Sequence, residues 1–127
     1  MAGRGSRLRP HTFTTAKPLV KIAGKSILAQ LIKDAVKLVD EPIEEMAFIV
    51  GDESFFGIEI VQELKLLAQK YGSVASIYRQ LNPLGTGHAI MCADKSLSGK
   101  ALVIYPDTLI KTNESFDKEA DAVIWTK

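Results

Sequence analysis

The sequence has little cysteine, since Cys92 is the only one among 127 residues. A single thiol cannot close an internal disulfide bond or build a zinc site of several cysteines. The sequence also lacks an apolar run near the ~20 residues that cross a membrane, and its first residues lack the apolar stretch of a signal peptide. We therefore expect a protein of the reducing cytoplasm with no membrane partner.

The sequence also lacks a strong excess of either charge. It carries 16 Lys and Arg against 15 Asp and Glu, for a net charge of +1. A surface that binds duplex nucleic acid usually leaves a larger basic excess, so we expect no nucleic-acid partner. Hydrophobic residues make up 46% of the chain and charged residues 24%, as in an ordinary globular protein of one domain.

The basic residues that are present are concentrated at the start of the chain. Arg4, Arg7 and Arg9 lie within the first ten residues, and no acid precedes Asp34. Glycine and serine alternate with these arginines, and Lys17 follows shortly after. Because glycine lets backbone N–H groups approach phosphate oxygens, and arginine and lysine supply fixed positive charge, this segment is typical of a polyphosphate-binding loop.

The remaining sequence alternates between helical and strand patterns. Apolar residues at helical spacing predict a helix over 27–39 with Ser26 as its N-cap, and a second helix is predicted to end at Gly72. The full set of expected elements comprises a loop at 3–25, helices at 27–39, 54–71 and 89–93, strands at 46–50, 74–79, 101–105 and 122–126, and a turn at 82–87. This order predicts an α/β fold, a Rossmann-like, mostly parallel sheet with helices on both faces.

Three segments are expected to meet at one edge of that sheet. Ligands of parallel sheets bind beyond the carboxyl ends of the strands. The glycine loop, the turn at 80–87 and Asp107 all follow, or should follow, strand ends.

The ends of the sequence do not match a complete sheet. A phosphate loop of this kind normally follows a buried strand, yet only Met1 and Ala2 precede Gly3. The last residues, Trp125 to Lys127, end what is predicted to be a strand without a closing helix. We expect residues 1–127 to be part of a longer domain.

Two blocks of sequence and one aspartate together resemble a known family. The first block contains Gly3, Gly5, Ser6, Arg7, Leu8, Arg9, Pro10, Thr12, Lys17, Pro18, Leu19, Gly24 and Lys25; the second contains Gln80, Pro83, Gly85, Thr86, Gly87 and Ala89; the aspartate is Asp107. In order and spacing they resemble the sugar-1-phosphate nucleotidyltransferases, in particular those similar to glucose-1-phosphate thymidylyltransferase. The resemblance implies that residues 1–127 form the N-terminal, nucleotide-binding half of such a domain.

The resemblance also implies a role for each matching residue. The reaction would join a nucleoside triphosphate and a sugar 1-phosphate into a nucleotide-sugar, with release of pyrophosphate. Arg7 would bind the β- and γ-phosphates, Lys17 would bridge the α-phosphate and the sugar phosphate, and Asp107 would ligate Mg²⁺. The nucleotide would be bound by Ala2, Gly3, Arg4, Gly5 and Ser6 around the triphosphate and by Gln80, Gly85 and Thr86, with Gln80 and Gly85 reading the edge of a pyrimidine or, next in preference, a guanine.

Some positions depart from this pattern or have another interpretation. Pro106 stands where the family often has a glycine, and the second metal-binding aspartate of the family has no match here. A nucleotide-binding regulatory module without catalysis is one alternative. An acyl-CoA-dependent acetyltransferase is another, since Gly85 to Gly87 before a helix can cradle a pyrophosphate, although it leaves Arg7 and Lys17 unexplained. We interpret His88 as a helix or loop residue rather than a general base, and we leave a homo-oligomer open.

Overall fold

The computed structural model describes residues 21–22, 25–54, 56–106 and 120. Its elements are β1 (Lys21–Ile22), β2 (Lys25–Ser26), α1 (Ile27–Val39), β3 (Glu45–Val50), α2 (Ile58–Gln69), β4 (Val74–Arg79), α3 (Thr86–Met91) and a 3₁₀ turn (Asp94–Ser96). β1 and β2 form a short antiparallel pair, and β3 and β4 form a parallel pair. None of the helices in this part of the chain is long and apolar enough to cross a membrane.

Helix α1 begins and ends as its sequence predicts. The Ser26 hydroxyl accepts a hydrogen bond from the Ala29 N–H at 3.1 Å, which satisfies one of the free donors of the first turn. The helix stops at Asp40, which adopts the left-handed conformation with φ 51°. Its buried side chains follow one face of the helix: Leu28, Leu31, Ile32 and Ala35.

A β–α–β unit forms the centre of the described chain. β3 and β4 are parallel and in full register from the pair Glu45–Val74 to the pair Val50–Arg79, and α2 connects them. Gly72 ends the connection after α2 with a positive φ of 74°, as its place in the sequence predicts. The strand directions confirm the predicted α/β class.

One face of the strand pair is covered by both long helices. Phe56, Leu64 and Val50 are the largest fully buried side chains, and burying each contributes about 1.5–3 kcal/mol. The core cluster joins residues of α1, β3, the following loop and α2: Leu28, Ile32, Phe48, Val50, Phe56, Leu64 and Ala68.

The opposite face contacts the segment that follows α3. The Ser96 hydroxyl donates to the Glu45 carboxylate at 2.7 Å, and the Tyr78 hydroxyl lies 2.7 Å from the Ser96 Oγ. Because Ser96 donates its proton to Glu45, Tyr78 is the donor to Ser96. Hydrogen bonds from Ser76 and Ser96 hold the pKa of Glu45 below its ordinary value. Both long helices therefore lie on one face of the parallel pair, and the segment with the 3₁₀ turn lies on the other.

The structure differs from the sequence predictions at four places. Part of the predicted loop at 3–25 forms strands, because β1 (Lys21–Ile22) pairs antiparallel with β2 (Lys25–Ser26). α2 begins at Ile58 rather than at residue 54, because Asp52 forms a turn in which its side chain accepts from the Ser54 N–H at 2.8 Å. α3 begins at Thr86 rather than at residue 89, directly after Gly85. The predicted strand at 101–105 does not form, and Leu102, Val103 and Tyr105 are exposed. The predicted strand at 122–126 lies outside the described residues.

Candidate functional site

The candidate site lies at the edge where β3 and β4 end together. The register places Val50 beside Arg79 at the last pair of the ladder. The Gln80 N–H then donates to the Val50 carbonyl at 2.8 Å, which continues the parallel pairing by one bond. The loops at 51–57 and 80–85 consequently leave the sheet at the same level.

Arg79 holds the loop that follows β3. One guanidinium nitrogen donates to the Gly51 carbonyl at 3.1 Å and another to the Phe56 carbonyl at 3.1 Å. Phe56 itself is 1% exposed and belongs to the core. The planar fork of arginine bridges two carbonyls in a way that a single ammonium cannot. The loop is thereby tied both to β4 and to the hydrophobic core.

Gln80 holds the loop that follows β4. This side chain is 7% exposed. Its Nε2 atom donates to the Gly85 carbonyl at 3.0 Å and lies 2.9 Å from the Nδ1 atom of His88. A single buried amide therefore fixes the turn at 81–85 and the first turn of α3 at once.

The contacts of Gln80 determine the orientation of its amide and the tautomer of His88. The Gly85 carbonyl can only accept, so the atom facing it must be the amide nitrogen and not Oε1. An amide nitrogen cannot accept, so this contact requires Nδ1 of His88 as the acceptor, with a ring proton on Nε2. Both N–H groups of the amide are then used. Among the described residues, Oε1 of Gln80 has no hydrogen-bond partner.

The turn itself is exposed and depends on one glycine. Residues 81–87 are all exposed to solvent. Gly85 has φ 103° and ψ 178°, a backbone conformation that is essentially restricted to glycine. A Cβ at this position would meet nothing within 4 Å. The requirement for glycine is therefore one of backbone conformation, and α3 starts at Thr86 directly after the Gly85 carbonyl that Gln80 holds.

The structure brings together three of the predicted site residues. Gln80, Gly85 and Thr86 lie in the same turn at the carboxyl edge of the sheet. The other predicted site residues lie outside the described part of the chain: Ala2, Gly3, Arg4, Gly5, Ser6, Arg7, Lys17 and Asp107. Their roles stay predictions. Within the described residues, no group of three or more His, Cys, Asp or Glu side chains is placed to hold a metal ion.

Sequence reasoning did not identify the roles of Arg79 and His88. Arg79 occupies the position in β4 that alternation assigns to the helix-covered face, after Ala75 and Ile77. A cation at such a position signals carbonyl or carboxylate partners. For His88, the signal is its place in the first turn of a helix that starts at a glycine turn, which brings the ring back toward the residue before the turn.

The family of the chain is shown by its match to a family model. The family model described as nucleotidyl transferase matches residues 1–122. The chain belongs to the nucleotidyl transferase family. The resemblance seen in the sequence is confirmed by this match, which includes the glycine loop, Lys17, the turn at 80–87 and Asp107.

Several curated nucleotidyl transferase relatives are similar to the chain. A low-salt glycan biosynthesis nucleotidyltransferase of Haloferax volcanii is 36% identical over 110 residues, covering 86% of this chain and 29% of the relative. A glucose-1-phosphate thymidylyltransferase of Streptomyces antibioticus is 32% identical, covering 81% of this chain and 27% of the relative. A mannose-1-phosphate guanylyltransferase catalytic subunit beta of Drosophila pseudoobscura pseudoobscura is 35% identical, covering 77% and 25%. The chain thus spans less than a third of the length of each.

A solved structure supports the fold. The UTP-bound UGPase from Acinetobacter baumannii superposes with a TM-score of 0.63 at 24% sequence identity. The match covers 87% of this chain and 45% of that one. The nucleotidyl transferase fold is therefore shared over most of the chain.

Proposed function

We propose that the protein containing this chain transfers a nucleotidyl group from a nucleoside triphosphate to a sugar 1-phosphate. The observation that carries the proposal is the family match over residues 1–122, in a chain whose turn at Gln80, Gly85 and Thr86 lies at the carboxyl edge of parallel strands. Two relatives are a glucose-1-phosphate thymidylyltransferase and the catalytic subunit beta of a mannose-1-phosphate guanylyltransferase.

The proposed reaction asks the protein for position and charge rather than covalent chemistry. An oxygen of the sugar phosphate attacks the α-phosphorus, a bond to that phosphorus forms, and the bond to the bridging oxygen of the leaving pyrophosphate breaks. Because two anions meet, fixed cations must lie between them. We assign Lys17 to the α-phosphate and the sugar phosphate, and Arg7 to the departing pyrophosphate.

The remaining groups are assigned to the nucleotide and to a metal ion. Backbone groups of residues 2–6 would cradle the triphosphate, and Gln80, Gly85 and Thr86 would contact the base. A carboxylate with phosphate oxygens and water is a ligand set that suits Mg²⁺, so Asp107 would hold the ion, which neutralises charge on the phosphates. We propose a pyrimidine nucleotide as the preferred donor and a guanine nucleotide as the second choice, in a cytoplasmic setting.

Replacing Lys17 tests the proposed chemistry. In the intact protein, Lys17→Ala should lower the rate of pyrophosphate release about a hundredfold or more, because one preorganised cation is lost from the transition state. The measurement is pyrophosphate release over a panel of nucleoside triphosphates and sugar phosphates. Lys65→Ala, at an exposed position of α2, is the matched control and should retain the wild-type rate. Equal rates for the two variants would remove Lys17 from the reaction.

Replacing Asp107 tests the metal assignment. Asp107→Asn should raise the Mg²⁺ concentration needed for half-maximal activity, because an amide is a weaker ligand for this cation than a carboxylate. The measurement is a Mg²⁺ titration of pyrophosphate release at saturating substrates. An unchanged midpoint would mean that Asp107 is not a ligand.

If the intact protein binds a nucleoside triphosphate but releases no pyrophosphate, it is a nucleotide-binding module instead.

A further inference from the structure

We propose that His88 is a positioning residue that sets which nucleobases the site accepts. It does so by fixing Gln80 so that this side chain presents only a hydrogen-bond acceptor, its Oε1 atom, to the ligand. The inference rests on the proposed function, because it assumes that the turn at 80–86 meets the base of a nucleotide.

Two acceptors fix the orientation of the Gln80 amide. The Gly85 carbonyl at 3.0 Å and the Nδ1 atom of His88 at 2.9 Å use both N–H groups of Gln80. Rotating the amide by half a turn would bring Oε1 against the Gly85 carbonyl oxygen, which is repulsive since neither atom carries a proton. The protein has thus fixed the amide before any ligand arrives.

The nucleobases differ in whether their base-pairing edge carries a ring N–H. Uracil, thymine and guanine carry a ring N–H on the edge used in base pairing, whereas cytosine and adenine carry an unprotonated ring nitrogen there. A fixed carbonyl oxygen accepts from the first group and repels the lone pair of the second. A site built to make a hydrogen bond discriminates strongly against an analogue that lacks the partner group, because the buried polar atom is then unpaired.

His88 supplies a second hydrogen-bond acceptor for the Gln80 amide, in addition to the Gly85 carbonyl. With the Gly85 carbonyl alone, one amide N–H would remain available for a base that offers an acceptor. The half-buried imidazole removes that option by accepting the second N–H. His88 therefore contributes to discrimination without touching the nucleotide.

The experiment compares each base with its ring N-methyl derivative in the intact protein. UTP and N3-methyl-UTP, GTP and N1-methyl-GTP, and CTP and ATP are assayed for kcat and KM with the best sugar phosphate. The wild-type protein should favour a ring N–H base over its methylated form and over CTP by at least about tenfold in kcat/KM. If CTP, ATP or a methylated base serves equally well, the inference is overturned while the nucleotidyl transfer stands.

Two variants isolate the contribution of His88. His88→Leu removes the acceptor, so the preference for UTP over CTP and N3-methyl-UTP should fall by about three- to tenfold, through KM more than through kcat. His88→Asn places an amide oxygen near the position of Nδ1 and should restore most of the preference. Gln80→Ala should lose the preference with either residue at position 88.

The controls separate failure of this inference from failure of the proposed function. Thermal unfolding confirms that each variant is folded, and the wild-type comparison with methylated bases remains decisive if His88→Leu does not fold. An unchanged preference for UTP over CTP and over N3-methyl-UTP in a folded His88→Leu overturns the role of His88. Absence of both nucleotide binding and pyrophosphate release in the wild-type protein overturns the proposed function itself.

Discussion

The loops that follow β3 and β4 leave the same edge of the sheet but are held in different ways. Arg79, a cation, fixes the loop at 51–57 by two carbonyl contacts, and this loop inserts Phe56 into the core. Gln80, a neutral amide, fixes the loop at 81–85, which is exposed along its length. The last residue of β4 and the residue directly after it therefore hold two loops of opposite character.

The comparison separates a structural loop from a loop available to a ligand. In the first loop the Gly51 and Phe56 carbonyls accept hydrogen bonds from Arg79 and the Phe56 side chain is buried, so this loop supports the edge. The second has no buried apolar anchor among its residues 81–85. Its shape depends on one amide and one glycine conformation, and its exposed atoms can meet a nucleotide.

The largest effect on stability is expected from removing the two hydrogen bonds by which Arg79 holds the loop at 51–57. Arg79→Ala should lower the free energy of unfolding of the intact protein by about 2–3 kcal/mol, because hydrogen bonds from a charged donor to two carbonyls are lost. Arg79→Lys should recover less than half of this loss, since an ammonium does not reproduce the planar fork. Urea unfolding measures both variants. Full recovery by lysine would show that charge alone, and not the two-carbonyl geometry, holds the loop.

A smaller effect is expected from the backbone of the second loop. Gly85→Ala should destabilise the intact protein by about 1–3 kcal/mol, because its φ of 103° strains any residue with a Cβ. Gly87→Ala, in the first turn of α3, is the matched control because a Cβ there also meets nothing within 4 Å, and it should be neutral or stabilise by about 0.5–1 kcal/mol. Thermal unfolding of the pair measures the difference. Equal stabilities would contradict the strained turn.

The smallest effect is expected on the far face of the strands, away from both loops. The pKa of Glu45 is lowered by hydrogen bonds from Ser76 and Ser96, so its contribution to stability is present above the ordinary pKa of a glutamate and is lost as pH falls through the lowered value. Ser76→Ala should move the pKa of Glu45 upward, as measured by NMR titration, and should slightly weaken the acid dependence of unfolding. The exposed position of Glu45 keeps the effect small.

The regular elements were predictable where the signal is local. The period of α1, the Ser26 cap and the positive φ of Gly72 each depend on residues a few positions apart, and the structure confirms all three. The segment at 101–105 was predicted wrongly as a strand. An apolar run indicates that a segment suits a strand, but a strand also needs a neighbour that pairs with it, and local sequence does not specify that neighbour.

The candidate site was predictable only as a set of residue types. The resemblance placed Gln80, Gly85 and Thr86 together, and in the structure Gln80 donates to the Gly85 carbonyl and Thr86 begins α3 directly after it. Their contact with a nucleotide stays a prediction. The brace by Arg79 spans 28 residues to Gly51, and the acceptor role of His88 depends on which way an amide is turned. Both depend on contacts in the folded chain, which the spacing of residues along the sequence does not reveal.

Successive side chains of an extended chain point to opposite faces. Arg79 and Gln80 are neighbours at the end of β4, so their side chains point to opposite sides and can hold different loops. Adding or deleting one residue within Val74–Arg79 would move Arg79 and Gln80 each to the opposite face. Both loops would then lose the hydrogen bonds that hold them. Length variation in relatives should therefore be absent from this strand and confined to the exposed stretch between Leu81 and Leu84, where an extra residue changes the reach of the loop and leaves its fastening in place.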